Sequence, residues 1–437
     1  MSVVVIGLGK TGLSCVRHLA RRGVAVRVTD SRSAPPGLAA LGDLAARVDL
    51  RLGGFDESVL DGASQVLLSP GVSPEEPIAR AARRRGIEVV GDVELFAREA
   101  RAPVIGITGT NGKSTVTSLV AHMAEVAGRR ALAGGNLGEP ALDLLARPVP
   151  ELYVLELSSF QLETTSSLEL RAATVLNLSA DHLDRYPSIE AYGVAKARIF
   201  RHAAAAVLNA DDPRVLAMRP EHAAVTTFSV QRTDADFALA GDLLVRRGEP
   251  VLARSRLKIA GRHNVANALA ALALGEAAGL GLDAMARSLE GFPGLPHRSQ
   301  WIADIDGVRY LDDSKGTNVG ATLAAVEGSD RPLVMILGGD GKGQNFAPLA
   351  AAFRGRVRAA VLIGRDAPAI AAAIGCLCPI ERAGSMPEAV AAAARLARSG
   401  DAVLLSPACA SLDMFRDYAE RGEVFAAAVR SLQREPA

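Results

Sequence analysis

The run Gly109-Thr110-Asn111-Gly112-Lys113-Ser114-Thr115 follows the apolar stretch Val104 to Ile107 and precedes a segment with apolar residues at Val116, Leu119, Val120 and Met123. Strand, glycine-rich turn and amphipathic helix in that order make a loop whose backbone N–H groups converge on phosphates at a helix N-terminus. In such a loop a lysine reaches the terminal phosphates and the hydroxyl after it helps to hold magnesium, the places taken here by Lys113 and Ser114. The strict pattern puts a glycine where this chain has Ile107, and Gly109 stands closer to Gly112 instead. Because the flanking strand and helix supply the context the motif needs, residues 109–115 are expected to bind ATP. A loop of this kind also commits the chain to the α/β class, with a parallel sheet presenting its carboxyl edge to the ligand.

A second glycine-rich turn, Gly7-Leu8-Gly9-Lys10-Thr11-Gly12, follows Val3 to Ile6 and enters a helical pattern at Leu13, Val16 and Leu19, with Asp30 closing the next strand, Val24 to Val28. This is the dinucleotide fingerprint in context, and it suits either NAD or another diphosphate-bearing ligand. Further strands are expected at Val66 to Leu68 and Ile87 to Val90, then at Leu152 to Leu155, Ala173 to Leu178 and Ala205 to Leu208. Glu156, Asn177 and Asn209 end or follow strands, on the ligand-binding edge. Beyond the Gly291-Phe-Pro-Gly-Leu-Pro296 punctuation a hairpin is expected from Trp301 to Leu311 around Asp306-Gly307, followed by strands at Leu333 to Leu337, Ala359 to Ile363 and Ala402 to Leu405. A chain of 437 residues exceeds one hydrophobic core. Three α/β domains are therefore expected, over residues 1–91, 92–294 and 295–437.

Charge narrows the partners: 49 basic and 48 acidic side chains are interspersed, which leaves no electrostatic footprint for nucleic acid or an anionic membrane. The longest uncharged stretch, Ala367 to Ile380, is too short to span a bilayer. The N-terminus runs directly into a strand, and four scattered cysteines have neither disulfide density nor zinc spacing, so a cytoplasmic protein acting on small molecules is expected. Only six of the basic residues are lysine, at positions 10, 113, 196, 258, 315 and 342. In so arginine-rich a chain, a retained lysine is a weak marker of a compact or modifiable amine.

Several motifs together resemble the Mur ligases of peptidoglycan precursor synthesis, from end to end of the chain. They are the 109–115 loop, Leu155-Glu-Leu-Ser-Ser-Phe-Gln-Leu162, Asn177-Leu-Ser-Ala-Asp-His-Leu-Asp184, Ala191-Tyr-Gly-Val-Ala-Lys-Ala-Arg198 and His263-Asn264-x-x-Asn267. Ser69-Pro-Gly-Val72, Asp313-Ser-Lys-Gly-Thr-Asn318, Gly338-Gly-Asp-Gly-Lys-Gly343 and Ser406-Pro-Ala-Cys-Ala-Ser-Leu-Asp413 narrow the resemblance to the members that add D-glutamate to UDP-N-acetylmuramoyl-L-alanine. The resemblance implies a Rossmann-like UDP-binding domain, a central ATPase-like domain and a Rossmann-like C-terminal domain. It implies an ADP-forming reaction through an acyl phosphate, in the cytoplasm, by a monomer serving cell wall growth, shape and division.

Residue by residue, the resemblance implies that Lys113 neutralises the transferring phosphate, and that Ser114 and Glu156 hold one magnesium ion while His182 helps to hold a second. Lys196 matches a lysine carbamylated in the family, although a helix lysine is ordinarily a solvated surface group. Asn267, Arg298 and Asp313 would contact adenine and ribose, with Lys315 nearby; the alternative for Arg298, at the domain joint, is a hinge residue. Thr317, Lys342, Ser411, Leu412 and Tyr418 would form the D-glutamate pocket, Lys342 pairing with a carboxylate. The family has phenylalanine where this chain has Tyr418, so a backbone contact there survives the change. Gly9, Lys10, Thr11, Asp30, Ser31, Arg32, Ser69, Gly71 and Asn136 would hold the UDP substrate. Sibling muramyl-peptide ligases and folate polyglutamylating enzymes share parts of this pattern. An NAD-dependent oxidoreductase would leave Lys113, Lys196 and His182 without roles, and an ATP-driven switch would turn over without any amino acid.

Overall fold

Short runs of valine, isoleucine and leucine, each closed by glycine or a polar residue, make strands buried on both faces, the condition met by parallel sheets with helices on either side. The computed structural model describes residues 2–183, 185–259 and 261–432. Its first sheet contains β1 (Ser2–Ile6), β2 (Ala25–Asp30), β3 (Asp49–Leu52), β4 (Ala63–Leu68) and β5 (Glu88–Val90), in the order β3-β2-β1-β4-β5. All its pairings are parallel, with Val5 opposite Val28 on one side and Leu67 on the other. The order reverses between β1 and β4, so the crevice at their carboxyl ends is the natural ligand site.

The second sheet has nine strands, β6 (Val104–Thr108), β7 (Ala131–Gly135), β8 (Leu152–Glu156), β9 (Ala172–Val175), β10 (Ala205–Asn209), β11 (Ala224–Ser229), β12 (Phe237–Ala240), β13 (Leu243–Arg246) and β14 (Glu249–Ala253). They run in the order β14-β13-β12-β11-β10-β9-β6-β8-β7, with β13 antiparallel to both β12 and β14. The expected strand over Ala173 to Leu178 stops at Val175. The backbone of Leu176 and Asn177 turns instead toward the end of β6 and the phosphate loop: Leu176 N–H donates to the Thr108 carbonyl at 2.9 Å, and the Asn177 carbonyl accepts from Thr110 N–H at 3.0 Å.

The third sheet contains β15 (Gln300–Ile305), β16 (Val308–Asp312), β17 (Leu333–Gly338), β18 (Val357–Ile363), β19 (Ile380–Arg382) and β20 (Ala402–Leu405), in the order β15-β16-β20-β17-β18-β19. β15 and β16 form the expected hairpin, with Asp306 and Gly307 both at positive φ, the twist that matches two paired strands.

The helix Lys113–Val126 buries Val116, Leu119, Val120 and Met123 completely, against the helix Arg262–Ala277 and the second sheet. The first two sheets also share a core, in which the Phe96 ring meets Tyr153 edge-on at 5.1 Å. Across the same junction Ser14 Oγ donates to Asp143 Oδ1 at 2.8 Å. Among the described residues no helix is long and apolar enough to cross a membrane.

Candidate functional site

The phosphate loop joins β6 to the helix Lys113–Val126. Gly109 and Gly112 both take positive φ, and a Cβ on Gly112 would overlap Asn267 Oδ1. Ile107, where the strict pattern wants glycine, is a fully buried strand residue, so the loop's left-handed turn is carried by Gly109 instead. Asn177 fixes the loop from the neighbouring strand end. Its Oδ1 accepts from Asn111 N–H at 2.8 Å, and its Nδ2 donates to the Asn111 carbonyl at 3.0 Å. Lys113 Nζ folds back onto the Gly109 and Thr110 carbonyls at 2.9 and 2.8 Å, and burial lowers its pKa.

Ser114 is the junction of two domains. Its hydroxyl donates to Glu156 Oε2 at 2.7 Å and accepts from Arg298 Nη2 at 2.8 Å. Thr115 lies in the first turn of the same helix and lines the adjoining cleft. Glu156, buried at the end of β8, takes a second hydrogen bond from Asn136 Nδ2 at 2.6 Å. The Asn136 amide therefore lies on the acid expected to hold metal.

Lys196 lies on the helix Ile189–Ala197 and is only 1% exposed, contrary to the ordinary fate of a helix lysine. Its Nζ donates to the Gly109 carbonyl at 2.9 Å and sits 4.4 Å from the centroid of the Tyr192 ring. Burial first, and Lys113 second, push its pKa well below the usual lysine value, against the weaker pull of Asp181 and Glu156. His182 sits on the loop after β9 at positive φ, its ring edge-on to Phe160 at 4.9 Å and to Tyr192 at 6.0 Å. Asp184, the last residue of that motif, lies outside the described residues.

A cleft of about 410 Å³ opens from the phosphate loop toward the third sheet. Asn111, Gly112, Asn267, Arg298, Asp313 and Lys315 all line it, with Leu176, Phe228 and Leu323 as apolar wall. That combination of a flat apolar wall with a few fixed polar groups suits a purine nucleoside. Asn267 Nδ2 donates to Asn264 Oδ1 at 3.1 Å. Asp313 accepts from Ser406 Oγ at 2.8 Å and Ser299 N–H at 3.1 Å, and burial pushes its carboxyl up to about 7. Beside it His297 Nδ1 pairs with Asp312 Oδ2 at 2.7 Å, which raises the histidine's pKa.

Three loops at the carboxyl ends of the adjacent strands β16, β20 and β17 carry the expected amino-acid pocket. The Gly316 carbonyl, next to Thr317, accepts from Ala408 N–H at 2.9 Å. Asp340 and Ala410 exchange backbone hydrogen bonds at 2.9 and 2.8 Å, which ties the Lys342 loop to the Ser411 loop. Ser411 is buried, whereas Leu412 is 69% exposed and Lys342 is exposed. The Tyr418 carbonyl accepts from Ser314 Oγ at 2.7 Å, so its backbone is engaged whatever ring it carries.

Apart from Asn136, which lies on Glu156 in the second domain, the residues expected to hold UDP gather at the mouth of the first sheet. Gly9, Lys10 and Thr11 open the helix Lys10–Arg21, and Asp30, Ser31 and Arg32 follow β2. Ser69 Oγ donates to the Gly7 carbonyl at 2.7 Å beyond β4, with Gly71 in the next turn. Arg32 forms a two-pronged pair with Asp30, at 2.9 and 2.8 Å, and holds its carboxyl down to about 2; Asp30 also accepts from Leu8 N–H at 2.7 Å. Lys10 donates to the Gly138 carbonyl of the second domain, and Arg185 donates to the Pro70 carbonyl at 3.1 Å from the other side. This group lies apart from the cleft wall, and those two bridges connect the regions.

Sequence reasoning placed Asn177 on the ligand edge without its clamping role, and it missed Phe228 and Leu323 as cleft wall. Apolar residues carry no signal of their own there. The polar residues Glu156, Asn177 and Asn209 at the ends of strands were the available clue.

Residues 1–91 match the family description "Mur ligase MurD-like, N-terminal domain", residues 107–275 "Mur ligase middle domain" and residues 297–409 "Mur ligase, glutamate ligase domain". The UDP-N-acetylmuramoylalanine--D-glutamate ligase of Nitrosococcus oceani is 56% identical over 436 residues, covering 98% of this chain and 96% of that protein. Proteins of the same name from Thiobacillus denitrificans and Pseudomonas aeruginosa are 52% and 50% identical, each over 98% of this chain and over 96% and 98% of their own lengths. Among solved structures, UDP-N-acetylmuramate-alanine ligase from Thermotoga maritima shares the fold with a TM-score of 0.62 at 19% identity, over 99% of this chain and 100% of that one.

Proposed function

The chain belongs to the Mur ligase family, and from that premise we infer that it joins D-glutamate to UDP-N-acetylmuramoyl-L-alanine, converting ATP to ADP and phosphate, in peptidoglycan precursor synthesis. The observation that carries the assignment is identity of 50% or more, over nearly the whole length, to relatives of that name. The geometry supports it through Ser114, where the phosphate loop, Glu156 and Arg298 of the adjoining domain meet.

In this reading the alanyl carboxylate of the UDP substrate attacks the γ-phosphorus of ATP, ADP leaves, and the amine of D-glutamate displaces phosphate from the acyl phosphate. Little covalent chemistry falls to the protein, so its contribution is positioning and charge neutralisation. Lys113 would release its two loop carbonyls to take phosphate oxygens. Arg298 would hold the domains around the same charge. Asn267 and Asp313 would orient base and ribose in the cleft, and Lys342 would pair with a carboxylate of D-glutamate.

The donor set suits magnesium. Ser114 and Glu156 present a hydroxyl and a carboxylate oxygen 2.7 Å apart beside the phosphate loop. Among the described residues no three His, Cys, Asp or Glu side chains converge into a cage. Magnesium needs none, because it binds through one or two carboxylates together with substrate phosphates and water. Bound there, it would offset charge on the transferring phosphoryl group.

For a second ion at His182, Lys196 as an amine offers no anionic oxygen. Its burial beside Lys113 favours the uncharged, nucleophilic form, which can add to carbon dioxide, forming an N–C bond and releasing a proton. We propose that Lys196 works as this carbamate, which would turn a desolvated amine into a ligand-orienting anion.

We also propose that residues 1–91 bind the UDP portion, 92–294 the ATP and 295–437 the D-glutamate. One copy of the chain carries all three groups of site residues, which supports a monomer. Four free cysteines and nucleotide substrates support a cytoplasmic location. The test is phosphate release from ATP and magnesium with UDP-N-acetylmuramoyl-L-alanine and D-glutamate, L-glutamate, L-lysine or no amino acid. Release only with D-glutamate supports the reading. Release with another amino acid moves the assignment to a sibling ligase, and release with none supports an ATP-driven switch.

A further inference from the structure

The ligase reading leaves one proton without a destination. D-glutamate arrives as an ammonium ion, and its nitrogen has no lone pair for the acyl carbon until a proton is removed. The base must sit between the phosphate loop, where the acyl phosphate forms, and the amino-acid pocket on the third sheet.

Lys315 occupies that place. It lines the cleft beside Arg298, Asp313 and Asn111. Its Nζ stands 3.7 Å from the centroid of the Tyr418 ring, at the pocket side. Among the described residues no carboxylate or carbonyl accepts a hydrogen bond from it, and its one close partner is an aromatic face. The charged groups around it are Arg298 from the domain joint, Glu156 from the end of β8, Lys113 from the phosphate loop and Asp417 ahead of the helix Tyr418–Leu432. Asp313 precedes it in its own loop. Burial, then Arg298, lower its pKa to about 8, with Lys113 adding to the effect and Glu156 and Asp417 opposing it. A useful fraction is therefore an uncharged amine near neutral pH, the condition for a general base.

Neighbouring groups are already committed. His297 is held toward its protonated form by Asp312. Asp313 accepts from Ser406 and Ser299. Lys342 is exposed, and in the ligase reading it pairs with a carboxylate of D-glutamate.

We propose that Lys315 is the base of the second half-reaction: its neutral Nζ takes one proton from the D-glutamate ammonium, and the freed lone pair forms the bond to the acyl carbon. The bond from that carbon to the phosphate oxygen breaks as the amide forms, and the second N–H proton leaves with the phosphate. Lys315 later returns its proton to solvent. The proposal rests on the ligase reading, and it assigns Lys315 to aminolysis alone, apart from phosphoryl transfer.

The test separates the half-reactions in Lys315→Arg and Lys315→Gln. Arginine preserves the cation and its stacking on Tyr418 but cannot lose its proton in this pH range. Acyl phosphate is trapped by borohydride reduction in the absence of D-glutamate, and complete turnover is followed from pH 6.5 to 9.5. Both variants are expected to form acyl phosphate within about threefold of the unmodified enzyme, and to lose about a hundredfold or more in kcat/KM for D-glutamate, in the range general-base catalysis supplies. The unmodified enzyme should show kcat/KM for D-glutamate rising through about pH 8, and Lys315→Arg should lack that limb. Turnover by Lys315→Arg within fivefold of the unmodified enzyme would overturn the proposal by making Lys315 a simple counter-charge. Loss of acyl phosphate in both variants would overturn it by placing Lys315 in phosphoryl transfer. A failure of the unmodified enzyme to form acyl phosphate would instead refute the ligase reading.

Discussion

Replacing Asn177 with leucine should weaken nucleotide binding far more than it weakens the fold. The side chain contributes two hydrogen bonds to one residue of the phosphate loop, from Asn111 N–H at 2.8 Å and to the Asn111 carbonyl at 3.0 Å. Leucine keeps the shape and removes both. The main-chain bond from Thr110 N–H to the Asn177 carbonyl remains. Each lost bond is worth about 1 to 1.5 kcal/mol, giving roughly 2 to 3 kcal/mol in total. Because Asn111 lines the cleft and its loop is built from positive-φ glycines, most of that loss should fall on the loop's ordering. If the loop reorders only on binding, ADP affinity falls by roughly 30- to 150-fold. Titration calorimetry with magnesium and ADP measures it, and circular dichroism melting checks the fold. An ADP affinity within threefold of the unmodified protein would refute the claim that Asn177 sets the loop. A matching collapse of the fold would show that its bonds are structural throughout.

Gly112→Ala should abolish measurable ADP binding in a folded protein, since the residue has φ 84° and the new Cβ would overlap Asn267 Oδ1; calorimetry reads it directly. Lys196→Ala should lower turnover by a hundredfold or more while the protein stays folded, and millimolar acetate should restore part of the rate; full activity in the variant would refute the carbamate. Asp313→Asn tests the buried carboxyl by pH. Burial raises its pKa from 3.8 to about 7, so the folded state binds more protons than the unfolded state across that window. The unmodified protein should therefore lose stability relative to the variant as pH rises from about 4 to about 7, and denaturant melts at several pH values would show the difference level off above it.

The phosphate loop and the first glycine turn were legible because each packs its chemistry into a few consecutive residues between a strand and a helix. The hairpin from Trp301 to Leu311 and the strands at Leu333 to Leu337, Ala359 to Ile363 and Ala402 to Leu405 were likewise readable, each a short apolar run closed by glycine or polar residues. What the chain did not disclose was chemistry created by distant partners. Nothing local to Tyr192 and Lys196 says that their helix face is closed off from water by the phosphate loop. β11 to β14 escaped notice for another reason. Of these, β13 and β14 carry arginine and proline, in Leu243–Arg246 and Glu249–Ala253, and their antiparallel edge tolerates such residues where a buried parallel strand does not, while β11 and β12 carry neither. Leu176 to Leu178 reads as a strand by composition, but the Asn177 carbonyl is taken by Thr110 of the phosphate loop and Leu178 N–H by Asp212.

In the ligase reading a substrate carboxylate is activated by phosphoryl transfer in the Ser114, Glu156 and Arg298 cluster. That step is tested most directly with UDP-N-acetylmuramoyl-L-alanine carrying oxygen-18 in the alanyl carboxylate, incubated with ATP, magnesium and D-glutamate. The account predicts that released phosphate contains one labelled oxygen, and that the UDP product, heavier by one glutamyl residue, keeps the other in its new amide. Phosphate free of label would show that the carboxylate never attacked phosphorus, and would contradict the account.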